Sequence, residues 1–181
     1  ISMDAQCVNI KATDTMLVTA FAKEHKIDLV VVTPDDPLAL GMVDALEAEG
    51  IRAFGPNKAA AQIESSKVFA KNLMKKYGIP TASYDVFDDP KEALEFIKKQ
   101  DKYPTVIKAD GLALGKGVII AQNYEEAKAA LHSIMEEKIF GASGNRVVIE
   151  EFLTGPEVSV LAFTDSKTLK PMVSSKDHKR A

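Results

Sequence analysis

The chain has 181 residues, 46% of them hydrophobic and 27% charged, with a net charge of −3. This balance fits an ordinary globular protein, gives no general field for nucleic acid or an anionic membrane, and leaves any basic site to be local. No apolar run reaches membrane-span length, no signal peptide is expected at the start, and a single cysteine, Cys7, excludes an intrachain disulfide or a cysteine-based metal site.

Residues 13–25 are apolar at helical spacing (Met16, Leu17, Ala20, Phe21), with Thr13 or Asp14 as the cap. Residues 29–32 form a continuous apolar run and predict a strand buried on both faces. Pro34-Asp35-Asp36-Pro37 turns the chain, a helix is expected over 38–49, and Gly50 ends it. A short strand follows over 51–54, closed by Gly55-Pro56. The alternation argues an α/β unit built on a parallel, doubly wound layer.

The texture then changes. A short helix is expected over 58–63, and a second over 65–77 with Ser65 or Ser66 as N-cap and Gly78-Ile79-Pro80 as stop. Strands over 84–87, 106–109, 118–121, 147–151 and 158–163 alternate with helices over 90–99 and 124–137. This half predicts an α+β unit, an antiparallel sheet with helices on one face, and boundaries fall near residues 56 and 101.

The stretch from Thr105 to Val118, TVIKADGLALGKGV, puts Lys108 in a buried strand and joins it to the next strand by a loop holding Gly111, Gly115 and Gly117. Glycine lets backbone N–H groups approach phosphate oxygens closely, and Lys108 would be a fixed cation beside them. A Walker A loop is excluded: three residues separate Gly111 from Gly115, and Gly117 follows Lys116 where Ser or Thr is needed. Read by itself, the stretch also fits a plain hairpin turn.

A second stretch, Val147 to Glu157, ends a buried strand in Glu150-Glu151 before Phe152-Leu153 and a turn. Free backbone groups at such a strand end can read an adenine edge, and Glu157 can accept ribose hydroxyls; a hairpin with solvated acids is the alternative. Ser65-Ser66-Lys67 puts a lysine at a helix start, which costs roughly 0.3 kcal/mol against the helix dipole and hints at an anion nearby. The basic run Lys176-Asp177-His178-Lys179-Arg180 can hold a phosphate or be simply solvated. His25, His132 and His178 are far apart and show no zinc spacing.

Taken in order, Phe54-Gly55-Pro56, Ser66-Lys67-Val68-Phe69, Ile79-Pro80-Thr81-Ala82, the segments from Val106 to Ala113 and from Gly115 to Val118, Val148 to Leu153, and Asp177-His178-Lys179-Arg180 resemble the phosphoribosylamine–glycine ligase (glycinamide ribonucleotide synthetase) family of the ATP-grasp superfamily. The resemblance implies a partial Rossmann-like layer over 1–56, linker helices and the start of the ATP-grasp domain over 57–100, a nucleotide-lid subdomain over 101–168, and the start of a further subdomain over 169–181. It implies ATP, glycine and 5-phosphoribosylamine as substrates, Mg²⁺ (or Mn²⁺) as metal, a cytoplasmic monomer, and no nucleic-acid or membrane partner. No protein nucleophile is implied, because positioning and charge neutralisation suffice.

Carried over, Lys67 and Lys108 resemble the ATP-phosphate lysines. Gly111, Gly115, Lys116 and Gly117 resemble the lid over the triphosphate, Glu150, Glu151, Phe152 and Leu153 the adenine-reading hinge, and Glu157 the ribose-binding acid. Asp35, Asp177, His178 and Lys179 resemble part of the substrate site, although the family's usual Glu is Asp at position 35. The family's opening Gly-Gly-Arg-Glu-His-Ala loop and its metal ligands have no match here. An internal fragment is therefore expected, with weak or no nucleotide binding and no turnover by itself. Another ATP-grasp ligase or carboxylase, or a non-catalytic nucleotide-binding module, is the alternative.

Overall fold

The structure, a computed structural model, describes residues 3–113 and 116–176. Helix α1 (Thr15–Glu24) starts at Asp14, whose carboxylate accepts from the Leu17 amide at 3.0 Å. Strand β1 (Val30–Val31) pairs in parallel with β2 (Ala53–Phe54). The helix expected over 38–49 is two helices, α2 (Asp35–Leu40) and α3 (Met42–Ala48). Gly41 separates them at φ 92, a left-handed conformation that glycine adopts without a Cβ clash.

Val32, Met42, Val43, Leu46 and Ile51 close with Ala22 into the core of this first unit. That core lies to one side of the strand pair. Val31 and Phe54 remain 55% and 53% exposed, so the run over 29–32 is not covered on both faces as its apolarity suggested. Among the described residues the layer consists of one parallel pair.

Helix α4 (Lys58–Ser65) is capped by Asn57, and α5 (Lys67–Tyr77) by Ser66, whose hydroxyl accepts from the Phe69 amide at 3.1 Å. The second unit is a four-stranded antiparallel sheet. Its strands are β3 (Tyr84–Phe87), β4 (Thr105–Ala109), β5 (Val118–Ala121) and β6 (Val147–Glu151), in the spatial order β3-β6-β4-β5. Helices α6 (Pro90–Gln100) and α7 (Tyr124–Leu131) cover one face. Ala93, Ile97, Ala130, Leu131 and Ile134 meet Ile107, Ala109, Val147 and Ile149 there. The helix expected to run to 137 is α-helical only to Leu131. It widens over His132–Glu136, where the Ser133 hydroxyl donates to the Ala130 carbonyl at 3.0 Å and so takes up a backbone acceptor.

The strand expected over 158–163 is split between two partners. β7 (Val158–Ser159) pairs with β10 (Ser175–Lys176), and β8 (Ala162–Thr164) pairs with β9 (Leu169–Pro171). The turn between β8 and β9 is held by Asp165, which accepts from the Lys167 and Thr168 amides and folds β9 back onto β8. Cys7 is exposed. No helix among the described residues is long and apolar enough to cross a membrane.

Candidate functional site

Side chains alternate between the faces of a strand. On β4, Ile107 and Ala109 enter the core under α6 and α7, so Val106 and Lys108 take the opposite face; on β6, Val148 and Glu150 do the same. The register pairs Val106 with Glu150 and Lys108 with Val148, which makes Lys108 and Glu150 diagonal neighbours within reach of long side chains. Their Nζ and Oε2 atoms are 2.8 Å apart.

Helix α5 lies against this same face. Its Lys71 Nζ is 3.3 Å from the same Glu150 oxygen and 5.4 Å from the centre of the Tyr84 ring, and its Asn72 accepts from the Tyr84 hydroxyl at 2.9 Å.

The start of α5 is tied to the end of β4. Asp110 Oδ1 accepts from the Ser66 hydroxyl at 3.0 Å and the Val68 amide at 3.2 Å. Asp110 Oδ2 accepts from Arg146 Nε and Nη2 at 3.0 and 2.7 Å. Lys67 is thereby held over the glycine loop, donating to the Gly111 carbonyl at 2.8 Å. Burial holds its ammonium below the usual lysine range; Glu64, Asp110 and Glu150 act to raise it, and Lys108 lowers it further.

The described part of the loop is close-packed at both ends. A Cβ on Gly111 would run into the Ser143 side chain, and one on Gly117 would come within 2.6 Å of the Ala113 Cβ. The Lys116 amide donates to the Ala113 carbonyl and the Ala109 amide to the Gly117 carbonyl, each at 2.8 Å. The Lys116 residue is exposed, and Gly115 lies outside the described residues.

At the other end of β6, Glu151 is clamped to Ser83 in both directions. Its amide donates to the Ser83 carbonyl at 3.0 Å, and its carboxylate accepts from the Ser83 amide at 2.8 Å. The bonds from Ser83 hold this carboxyl below the usual carboxylate range. Glu150 sits between β3 and β4, so its peptide groups belong to the sheet; the backbone beyond the ladder starts at Phe152. Phe152 and Leu153 are 39% and 65% exposed, and Glu157 is exposed just before β7. A cavity of about 600 Å³ lies at this end of the sheet, with Tyr84, Tyr103, Thr105, Glu150, Glu151 and Phe152 in its wall. Lys67, Lys71 and Lys108 do not line it. The cations and the hinge cavity are thus two adjacent features joined through Glu150.

Of the other expected residues, Asp35 begins α2 in the first unit and is exposed. No ion pair or hydrogen bond among the described residues ties it to the lysines. Asp177, His178 and Lys179 lie outside the described residues. Among the described residues no group of three or more His, Cys, Asp or Glu gathers as a metal ion would need.

The residue that sequence reasoning passed over is Lys71. Lys71 was not singled out, yet it follows buried Val68 by three positions and so shares its side of α5. Together the lysines and the loop amides can neutralise and hold an anionic chain of phosphates, and the strand end can hold a flat ring by backbone contacts. The cluster provides binding and positioning, and contains no nucleophile–base pair.

Two family models match the chain: Phosphoribosylglycinamide synthetase, N domain, over residues 1–64, and Phosphoribosylglycinamide synthetase, ATP-grasp (A) domain, over residues 65–181. The chain is 51% identical over 177 residues to the phosphoribosylamine–glycine ligase of Halalkalibacterium halodurans, covering 98% of this chain and 41% of that protein. It is 52% identical over 171 residues to the trifunctional purine biosynthetic protein adenosine-3 of Homo sapiens, covering 94% of this chain and 17% of that protein. Among solved structures, the phosphoribosylamine–glycine ligase of Thermotoga maritima superposes with a TM-score of 0.79 at 32% identity, over 99% of this chain and 42% of that one. The biotin carboxylase of Campylobacter jejuni, with a TM-score of 0.70 at 20% identity over 85% of this chain and 35% of that one, supports the fold alone. The chain spans 41% of the length of its Halalkalibacterium relative.

Proposed function

The chain belongs to the phosphoribosylglycinamide synthetase family, and from that premise we propose that it is the nucleotide-binding part of a phosphoribosylamine–glycine ligase. The observation that carries this reading is that Lys67 and Lys108 flank the start of the glycine loop, Lys67 donating to the Gly111 carbonyl and Lys108 standing on β4 just before it. Both lysines take the phosphates of ATP, with the loop from Gly111 to Gly117 over them. The hinge from Glu151 to Leu153 takes the adenine and Glu157 the ribose.

In the reaction, a glycine carboxylate oxygen attacks the γ-phosphorus and ADP leaves, giving glycyl phosphate. The amine of 5-phosphoribosylamine then attacks the carbonyl carbon. Phosphate leaves with the acyl bond's electron pair, the amine proton is lost, and glycinamide ribonucleotide forms. The lysines lower the barrier by neutralising charge on the transferred phosphoryl group. Asp177, His178 and Lys179 belong to the site of 5-phosphoribosylamine, and Asp35 contributes to substrate binding. Mg²⁺ accompanies the nucleotide, and the protein works as a cytoplasmic monomer. The units divide at 1–56, 57–100, 101–168 and 169–181.

The test is a calorimetric MgATP titration and an assay of glycine-dependent ADP formation, in a full-length family protein carrying this chain. Lys108→Ala is expected to weaken MgATP about tenfold or more, the value of one charge-assisted contact. An unchanged affinity in a folded variant would remove Lys108 from the phosphate site, and ADP formation driven by bicarbonate but not glycine would replace the ligase with a carboxylase.

A further inference from the structure

More charge is buried between α5 and the sheet than two phosphate lysines require. Lys71 is 6% exposed, and its ammonium meets the Thr81 hydroxyl at 2.7 Å, the Ala82 carbonyl at 3.3 Å and Glu150 Oε2 at 3.3 Å. An ammonium has three N–H donors, so these three partners occupy all of them. Lys71 has no donor left for a ligand. Lys108 shares the same Glu150 oxygen at 2.8 Å, and its side chain is 27% exposed against 8% for Lys71. Of the two, Lys108 alone reaches outward.

Glu150 is 5% exposed, and its second oxygen, Oε1, is buried without a hydrogen-bond partner among the described residues. A buried carboxylate left so short of donors binds any nearby cation strongly. If Lys108 were its only cation, the pair would be neutral and the ammonium would be drawn inward. Two ammonium groups against one carboxylate instead leave one net positive charge, and the exposed member of the trio is the one that presents it.

We propose that Lys71 is a positioning residue for nucleotide binding: it neutralises Glu150 from behind, so that Lys108 keeps its charge directed at the phosphates. The inference rests on the reading of Lys108 as a phosphate cation. It does not place Lys71 in contact with ATP.

The experiment is a set of MgATP titrations on the full-length protein and its K108A, K71M and K71M/E150Q variants, each checked for folding by circular dichroism. K71M is expected to weaken MgATP on the order of tenfold, because Glu150 then draws on Lys108 alone. K71M/E150Q removes the buried charge along with its counter-ion and is expected to recover most of that loss. A purely structural lysine would give the reverse order, with the double variant no better than the single one. A folded K71M that binds like the parent, or a folded K71M/E150Q as weak as K71M, overturns the proposal. Should K71M fail to fold, K71M/E150Q decides: binding near the parent supports charge balance, and a tenfold loss overturns it. K108A reports separately on the underlying reading, and parental affinity there would bring down both.

Discussion

On β4 and β6, the residues facing α6 and α7 are Ile107, Ala109, Val147 and Ile149, none more than 3% exposed. The residues between them on the same two strands are Val106, Lys108, Val148 and Glu150, and they face α5. One set is wholly apolar and closes a core; the other inserts an ion-pair cluster among valines. Position parity alone separates the two roles, so a register shift of one residue would exchange them. A strand can therefore hold a charged site rigidly because its other face is packed for stability.

The largest effect that sharpens this comparison is expected from Ile107→Ala. Ile107 is fully buried, and its loss should destabilise the protein by about 3 kcal/mol through lost burial and the cavity left behind. Chemical denaturation measures this, and the MgATP affinity of the folded fraction should stay unchanged. A weakened affinity in folded protein would break the separation by parity. Lys108→Ala, one position along, should move affinity and leave the denaturation midpoint nearly in place.

A smaller effect is expected from pH, through Lys67. Its folded value lies below the unfolded 10.5, so between the two the unfolded chain binds more protons. Its contribution to stability is thus least favourable below the folded value and improves as pH rises from there towards 10.5. Nucleotide binding should show the opposite trend. A bound phosphate favours the ammonium, so MgATP affinity should fall as pH rises through the folded value, with proton uptake on binding. Calorimetry in buffers of different ionisation enthalpy measures that uptake, and Lys67→Arg should abolish it.

The smallest effect is expected at Glu151, which faces solvent at the hinge. Its carboxyl is held below the usual range by Ser83, so its contribution is present above the unfolded value of 4.5 and is lost as pH falls through the folded one. Glu151→Gln should flatten this acid-side slope in thermal melts by lowering the neutral-pH midpoint slightly towards the acid-side one, which should stay where it is.

The apolar face was legible in the sequence. Runs such as residues 106–109 and 147–151 gave β4 and β6 to within one residue, because the β-branched valines and isoleucines that dominate them suit a packed sheet. Capping chemistry local in sequence narrowed two helix starts to Thr13 or Asp14 and Ser65 or Ser66, of which Asp14 and Ser66 are the caps, and Gly78 marked a helix end. Gly41 was harder, since an internal glycine in a helical pattern does not reveal whether it will turn left-handed. The split of residues 158–163 depends on β9 and β10, partners supplied from further along the chain.

Within the site, Lys67 and Lys108 were visible because a lysine is unusual at a helix start and in a buried strand. Lys71 was not, because its partners Thr81, Ala82 and Glu150 become neighbours only when α5 crosses the sheet.

The links between residues 66–68 and residues 110–111 have a mechanical meaning. Ser66 and Val68 donate from the helix to Asp110, while Lys67 donates to the Gly111 carbonyl beside it. Arg146 grips the other oxygen of Asp110 from the approach to β6. The helix start thus holds the strand end at two points, Asp110 Oδ1 and the Gly111 carbonyl, and Arg146 ties the same aspartate to the neighbouring strand. Helix start, strand end and the neighbouring strand consequently share one orientation, and the chain leaves Gly111 along a bearing set by all three. A displacement of any one of them therefore pulls on the other two through Asp110.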